Sequence, residues 1–197
     1  MTIMKMPPLL YSQRLVLRMP DPEEAPAVAD YYLRNREHVA NSHALMPESF
    51  YTPEHWQDRL LKNRQAYEED QGLNLFVFIR NGEHDFDPGM IGSVNFTSIL
   101  RRVAQFCYLG YSIDQFFQGQ GYMTEAVGRA IEFAFSEMNM HRIMANYVPH
   151  NLKSARVLSR LGFVVEGYAR DYLFLNGRWQ DHVMTSLTNK NWRPDLP

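Results

Sequence analysis

Residues Tyr111-Ser-Ile-Asp-Gln-Phe-Phe-Gln-Gly-Gln-Gly-Tyr-Met123 carry the clearest chemical signal in this chain. An apolar, strand-like run from Phe106 ends at Ile113, and Asp114 closes it. A short turn and a glycine-rich turn follow, and a long helical pattern opens behind them. The first N–H groups of a helix have no intrahelical partner, and the positive end of its dipole lies there. A strand, a glycine turn and a helix start therefore make an anion site. The glycines let the backbone approach a diphosphate without interference from Cβ. The spacing excludes a Walker loop, because no Gly-Lys-Ser/Thr is present, and the Gly-x-Gly-x-x-Gly dinucleotide fingerprint also fails. What remains is Gln118-x-x-Gly121-x-Met123.

A second constellation lies about thirty residues on, Asn151-x-x-Ser154-x-x-x-Leu158-x-x-Leu161-Gly162-Phe163. Pro149 breaks the strand before it, and Asn151 suits the N-cap of the helix that follows. Gly162 suits the left-handed residue that ends it. By itself Ser154 reads as a helix-surface serine.

The elements that must position these residues alternate along the chain without a linker or repeat. Arg14–Arg18 reads as a first strand. Asp21-Pro22-Glu23-Glu24 opens a helix to about His38, and Thr52-Pro53-Glu54 opens another carrying Trp56, Leu60 and Leu61. Between them Asn41–Tyr51 is a loop. Leu73–Arg80, Met90–Ile99 and Val103–Ile113 are consecutive strand patterns, and their short links favour antiparallel neighbours. Asn81-Gly82 and a charged Asp/Pro/Gly stretch separate the first two. The helix Gly119–Met138 places Met123, Val127, Ala130, Ile131, Ala134 and Met138 on one face. Arg142–Val148 is the next strand. Val164–Phe174 and His182–Leu187 are the last two, joined across Asn176-Gly177. The order β-α-α-β-β-β-α-β-α-β-β implies an α+β domain with a mixed sheet.

One domain, over residues 9–193, is expected for 197 residues. No apolar run approaches the ~18 residues of a membrane span, and Met1–Pro8 lacks a signal-peptide pattern. The single cysteine, Cys107, lies in an apolar strand and reads as a buried structural thiol, in keeping with a reducing cytoplasm. No His-x-x-x-His or cysteine pair suggests a metal. A net charge of −2 disfavours direct nucleic-acid binding. Residues 141–197 nevertheless hold 8 basic and 4 acidic side chains. That basic part could face a polyphosphate or form an ordinary solvated surface.

The two motifs and the element order resemble the GCN5-related N-acetyltransferase (GNAT) superfamily. Its Gln/Arg-x-x-Gly-x-Gly/Ala turn holds coenzyme A pyrophosphate, and Met123 departs from that pattern. The segments Tyr108–Ile113, His141–Tyr147, Arg160–Phe163 and Gly177–Val183 look like the branch that acetylates the N-terminal alanine of ribosomal proteins. The resemblance covers residues 12 to about 193. It implies a central twisted mixed sheet of about seven strands flanked by four helices. It also implies acetyl-CoA as donor and the N-terminus of a ribosomal protein, the fifth of the small subunit, as acceptor. The amine would attack the thioester directly, in the cytoplasm, in a monomer or homodimer. A small amine as acceptor, or a non-enzymatic ribosome-associated factor with the same fold, are the alternatives.

The resemblance also implies residue roles. Gln118, Gly119, Gln120, Gly121, Tyr122, Met123 and Thr124 would hold the pyrophosphate. Tyr111, Ser112 and Ile113 would pair with the pantetheine arm as an added strand, and the Ile113 N–H would face the thioester oxygen. Asn151 would bond the pantetheine, in addition to or in place of capping its helix. Ser154 would protonate the leaving thiolate, because the tyrosine that many relatives use is replaced by Leu158. An α-amine (pKa about 7.7–8.0) is roughly a tenth neutral at pH 7, far more than a lysine amine, so modest base assistance suffices. Asp171, Tyr172 and His182 are candidates for that base, each with an ordinary sheet or turn role as its other reading. The acceptor peptide would lie between the Asn41–Tyr51 loop and the Phe174–Trp179 turn. Glu48, Tyr51 and Asp171 could attract its charges.

Overall fold

A strand whose residues form a nearly continuous apolar run must bury both faces, as β3 (Leu73–Arg80) does. Leu73, Leu75 and Val77 point to one side of the sheet, Phe76 and Phe78 to the other. The computed structural model describes residues 5–39, 44–82 and 86–194. The start of the Asn41–Tyr51 loop and part of the charged stretch after Gly82 lie outside the described residues.

Eight strands form one sheet: β1 (Leu9–Tyr11), β2 (Leu15–Arg18), β3 (Leu73–Arg80), β4 (Phe86–Leu100), β5 (Phe106–Ile113), β6 (Arg142–Tyr147), β7 (Val164–Leu175) and β8 (Arg178–Thr188). Their spatial order is β1-β2-β3-β4-β5-β6-β8-β7. All neighbours are antiparallel except β5 and β6. Among the described residues there are five α-helices: α1 (Ala25–Arg34), α2 (Arg36–Val39), α3 (Pro53–Glu68), α4 (Tyr122–Ser136) and α5 (Leu152–Arg160).

The sequence-based strands all form. β1 adds an eighth, too short for periodicity to reveal, and the expected first helix is divided at Asn35 into α1 and α2. The Asn35 side chain explains that break: its amide is spent on the Tyr31 carbonyl, the Asp114 carboxylate and the Gln115 N–H.

Against one face lie α4 and α5. Met123, Val127, Ala130, Ile131, Ala134 and Met138 are all buried there, as their spacing predicts, together with Ala126. α1 and α3 cover the other face around Tyr31, Trp56 and Leu60, with Trp56 stacked on Tyr32 at 4.4 Å. Leu61, expected to accompany Leu60, is instead 53% exposed. One residue further along a helix is about 100° round its axis, which turns Leu61 away from the sheet. The Cys107 thiol is buried, and burial pushes its pKa up to about 12. It is a packing group, not a nucleophile.

The parallel pair is the short one. β5 and β6 are paired only over Phe106–Tyr108 against Arg142–Met144. Beyond that, β5 stays on β4 as far as Ile113 opposite Gly92, while β6 stays on β8 as far as Tyr147 opposite Val183. The two strands splay, and a wedge opens in the middle of the sheet.

Asp114 anchors one wall of this wedge. Its side chain is nearly inaccessible, with the residue 1% exposed. Its carboxylate accepts from Arg34 Nε at 2.8 Å, Asn35 Nδ2 at 3.0 Å and the Phe116 N–H at 3.0 Å. Burial raises its pKa, but these donors outweigh burial and hold it below the usual carboxylate range. A folded-state pKa below the unfolded one means stability that is complete above about pH 4 and is lost as pH falls through the folded value. Asp114→Asn should therefore lose about 2 kcal/mol at neutral pH and show a shallower decline in acid. Urea unfolding from pH 7 to 3 measures both; an unchanged pH slope would show that Asp114 does not carry this linkage.

Candidate active site

The wedge presents backbone donors. The Asp114 N–H donates to Ile91 of β4 at 2.8 Å. Successive N–H groups of a strand point to opposite edges, so the N–H groups of Ile113 and Tyr111 face the open side. The side chains alternate in the other sense. Ser112 points toward α1, where its hydroxyl meets those of Tyr31 and Ser93, each at 3.0 Å. Tyr111 points toward α5.

After β5 the Asp114 carboxylate caps a single 3₁₀ turn, Gln115–Phe117, and the chain enters the glycine turn. Gly119 and Gly121 have φ of +75° and +83°, which L residues with a Cβ adopt only at a cost. Gly121 is the N-cap of α4 and has no side chain to occupy the helix's first N–H groups. The turn is braced from outside. Glu125, in the first turn of α4, accepts from the Arg14 N–H and Arg14 Nε, both at 2.7 Å, and from Ser12 Oγ at 2.8 Å. Arg14 also donates to the Gln120 carbonyl at 3.1 Å and lies over the Tyr122 ring at 4.3 Å. At Gly92, a Cβ would lie 2.6 Å from the Ser112 carbonyl and 3.2 Å from Met123 Cε. Glycine there lets α4 approach the wedge.

A cleft of about 790 Å³ runs from the end of β5 over this turn to α5. It brings together Tyr111, Ser112, Ile113, Gln118, Gly119, Gly121, Tyr122, Met123, Thr124, Asn151 and Ser154, all expected from the sequence to face coenzyme A. Gln120 belongs to the same turn but is not on the cleft lining, and its amide donates to the Phe116 carbonyl. Asn151 caps α5, with Oδ1 accepting from the Ser154 N–H at 3.1 Å, so its capping role is present. Ser154 Oγ lies 2.7 Å from Tyr111 Oη.

Sequence reasoning passed over Lys153, Arg156 and Arg160, which line the same cleft from α5, and His38, which lines it from α2. Their spacing of i, i+3 and i+7 puts the three cations on one helix face, and that was the available signal. Among the described residues, no carboxylate lines the cleft. Lys153 donates to Gln118 Oε1, and the Gln118 amide nitrogen reaches His38 Nε2. Free helical N–H groups, three cations and no anion fit a polyphosphate, and the open β5 edge fits an extended amide chain.

The candidates for base and acceptor binding do not line this cleft. Asp171 is exposed in a β7 bulge at φ +46°, its N–H donating to Asp181 at 2.9 Å. Tyr172 Oη is 3.4 Å from Asn146 Nδ2, and its ring is 5.4 Å from that of His182. Burial raises the Tyr172 pKa, which makes its hydroxyl a poor base. His182 is 4% exposed, with Nδ1 3.0 Å from the Gln180 carbonyl. The Glu48 carboxylate is paired with Arg36, whose guanidinium also lies 4.7 Å from the Tyr51 ring. That pairing offsets the negative charge expected to attract a peptide.

A splayed parallel pair with a glycine turn and a helix start at its mouth defines a class of acyl-CoA-dependent acyltransferases. Residues 14–164 match the acetyltransferase (GNAT) domain family, and the chain belongs to it. It therefore uses acetyl-CoA as its acetyl donor. It is 40% identical over 188 residues to the [ribosomal protein uS5]-alanine N-acetyltransferase of Escherichia coli K12, covering 94% of this chain and 93% of that one. The crystal structure of a ribosomal-protein-S5-alanine acetyltransferase from Vibrio fischeri superposes with a TM-score of 0.89 at 37% identity, over 95% of this chain and all of that one. RimJ of Mycobacterium smegmatis, solved with a CoA disulfide, shares the fold at a TM-score of 0.82 and 20% identity, over 95% of this chain and 89% of that one.

Gly121→Glu should lower acetyl-CoA affinity by about tenfold or more, because a side chain and a negative charge enter the anion turn. Titration calorimetry on folded protein checks this; unchanged affinity would remove the pyrophosphate from this turn.

Proposed function

We propose that this chain transfers the acetyl group of acetyl-CoA to the N-terminal alanine amine of ribosomal protein uS5, in the cytoplasm. The observation that carries this reading is the 40% identity, over nearly the whole of both chains, to an enzyme named for that reaction. The wedge, the glycine turn and the cationic face of α5 supply what the donor side of the reaction requires.

In this reading the pyrophosphate lies on the N–H groups of Gln118 to Thr124. Pantetheine pairs along the open edge of β5. The Ile113 N–H donates to the thioester carbonyl oxygen, which gains charge as the amine attacks, so this bond strengthens in the transition state. The neutral amine attacks the carbonyl carbon, the C–S bond breaks, and its electron pair goes to sulfur. Ser154 Oγ–H supplies a proton to that sulfur. The amine's surplus proton leaves to solvent or to a nearby base. Of the three candidates His182 is the one with a ring nitrogen to offer, because a donor bond from Nδ1 to the Gln180 carbonyl would leave Nε2 as the basic nitrogen. The acceptor enters from the side of the Phe174–Trp179 turn, where Phe174 and Trp179 are exposed.

Ser154→Ala should reduce kcat by about 10²-fold and leave the acetyl-CoA KM nearly unchanged, since thiolate protonation matters only in the transition state. Steady-state kinetics decide this, and a retained kcat would reduce Ser154 to a binding or packing residue.

The acceptor assignment is tested with peptides. Transfer is expected to a uS5-derived peptide that begins with alanine. Little is expected to the same peptide with its N-terminus blocked and an internal lysine free. kcat/KM should rise from pH 6 to about 8 as free α-amine accumulates, then flatten. Faster acetylation of a polyamine or aminoglycoside than of the peptide would transfer the assignment to a small amine.

A further inference from the structure

Among the side-chain contacts of the cleft that the reaction as described does not use is one between two hydroxyls. Tyr111, on the wall of the wedge, and Ser154, in the first turn of α5, are 43 residues apart in sequence, and their hydroxyl oxygens are 2.7 Å apart. Both line the cleft. Tyr111 faces α5 because it alternates with Ser112, which faces α1. Ser154 is held from its other side by the Asn151 cap on its own N–H. Leu158, one turn further along α5, is apolar and buried and has no proton to give.

We propose that Tyr111 is a positioning residue for acyl transfer: its phenol donates to Ser154 Oγ and leaves the serine proton directed at the departing sulfur of coenzyme A. This rests on the acetyltransferase reading above. The Tyr111 hydroxyl lies 2.7 Å from Ser154 Oγ and 3.3 Å from the Ser154 carbonyl oxygen. The phenol is the more acidic of the two hydroxyls, so it donates, and Oγ, at the shorter distance, is its main acceptor. Burial pushes the Tyr111 pKa up to about 12, so the phenol keeps its proton throughout the working pH range. A serine that accepts a hydrogen bond must direct its own proton elsewhere, and the cleft is the open direction. Donation from Tyr111 also stabilises the charge that builds on Oγ as its proton moves. The step balances. The C–S bond breaks with its electron pair on sulfur, sulfur takes the Oγ proton, and Oγ, still held by the Tyr111 hydrogen bond, is reprotonated from solvent. The proton given to solvent by the attacking amine matches the one returned.

The test uses the full-length chain and the variants Tyr111→Phe, Ser154→Ala and the double change. Tyr111→Phe should lower kcat about 10- to 100-fold with the acetyl-CoA KM within about twofold of the parent. In the Ser154→Ala background it should cause no further loss, because both act through one hydroxyl. A second measurement needs neither turnover nor acceptor. By calorimetry, the parent should bind coenzyme A more tightly than desulfo-coenzyme A. That preference should vanish in each variant, and equally in the double. Fluorotyrosine at position 111 keeps both ring and hydroxyl and should retain kcat, which separates loss of the proton donor from loss of packing. Full kcat in Tyr111→Phe, independent losses that multiply in the double variant, or an undiminished preference for the thiol would each overturn the proposal. If the parent itself transfers acetyl to no amine, the acetyltransferase reading fails, while the calorimetric comparison still judges the hydroxyl pair.

Discussion

β5 and β6 share hydrogen bonds over three residues and then part, and the rest of the structure is arranged around that separation. Both strands run on, each held by its other neighbour, so the sheet does not end at the split. An open strand edge inside a sheet would ordinarily be a liability, because its N–H and C=O groups lack partners. Here the inner edge of β5 belongs to the cleft, and a chain of amides such as pantetheine is the partner that suits it. Parallel strands need a crossover, and α4 provides it. Its N-terminus therefore arrives at the mouth of the wedge, so one topological feature brings an open strand edge and a helix start to the same place.

Holding the wedge open requires anchors on both sides. Arg34 and Asn35 at the end of α1 hold the Asp114 carboxylate, and that carboxylate holds the turn following β5. Ser12 and Arg14 hold Glu125 and so fix the start of α4. These are buried or half-buried charges with several donors each, the arrangement in which an ion pair is worth more than on an open surface. Both networks join segments far apart in sequence. The glycine turn between them can then have left-handed residues and no side-chain cap without losing its shape.

The cations of α5 are of a different kind from Arg14 and Arg34 in these braces. Lys153, Arg156 and Arg160 face a cleft with no carboxylate on its lining among the described residues. Uncompensated charge on one helix face is costly unless an anion arrives, and the pyrophosphate and ribose phosphate of coenzyme A are anions of the right size. On the opposite face of the sheet, Ser93, Ser112 and Tyr31 form a hydroxyl cluster.

Much of this was legible in the amino-acid sequence, for identifiable reasons. Strand and helix patterns depend on short-range alternation, so β3, α4 and α5 could be read from their own residues. The Gln118–Met123 turn and the Asn151–Phe163 helix carry local constraints, a left-handed turn and an N-cap, that few residue types satisfy. Asn151 was open to two readings, and the structure shows its cap. β1 was not legible, because three residues carry no period. Leu60 and Leu61 are adjacent apolar residues, and the sequence did not say which of them faces the core. The cationic stripe of α5 was visible as spacing, but only the fold showed which way it faces. Nothing local links Asp114 to Arg34, Glu125 to Arg14, or Tyr111 to Ser154. Those contacts arise where separate elements meet, and their geometry is set by packing at long range. The sequence by itself determined the elements, their order and the backbone chemistry of the anion turn, since these follow from neighbouring residues. Only the tertiary structure decided where β5 and β6 part and which hydroxyls and charges meet there, because those depend on how distant segments pack against one sheet.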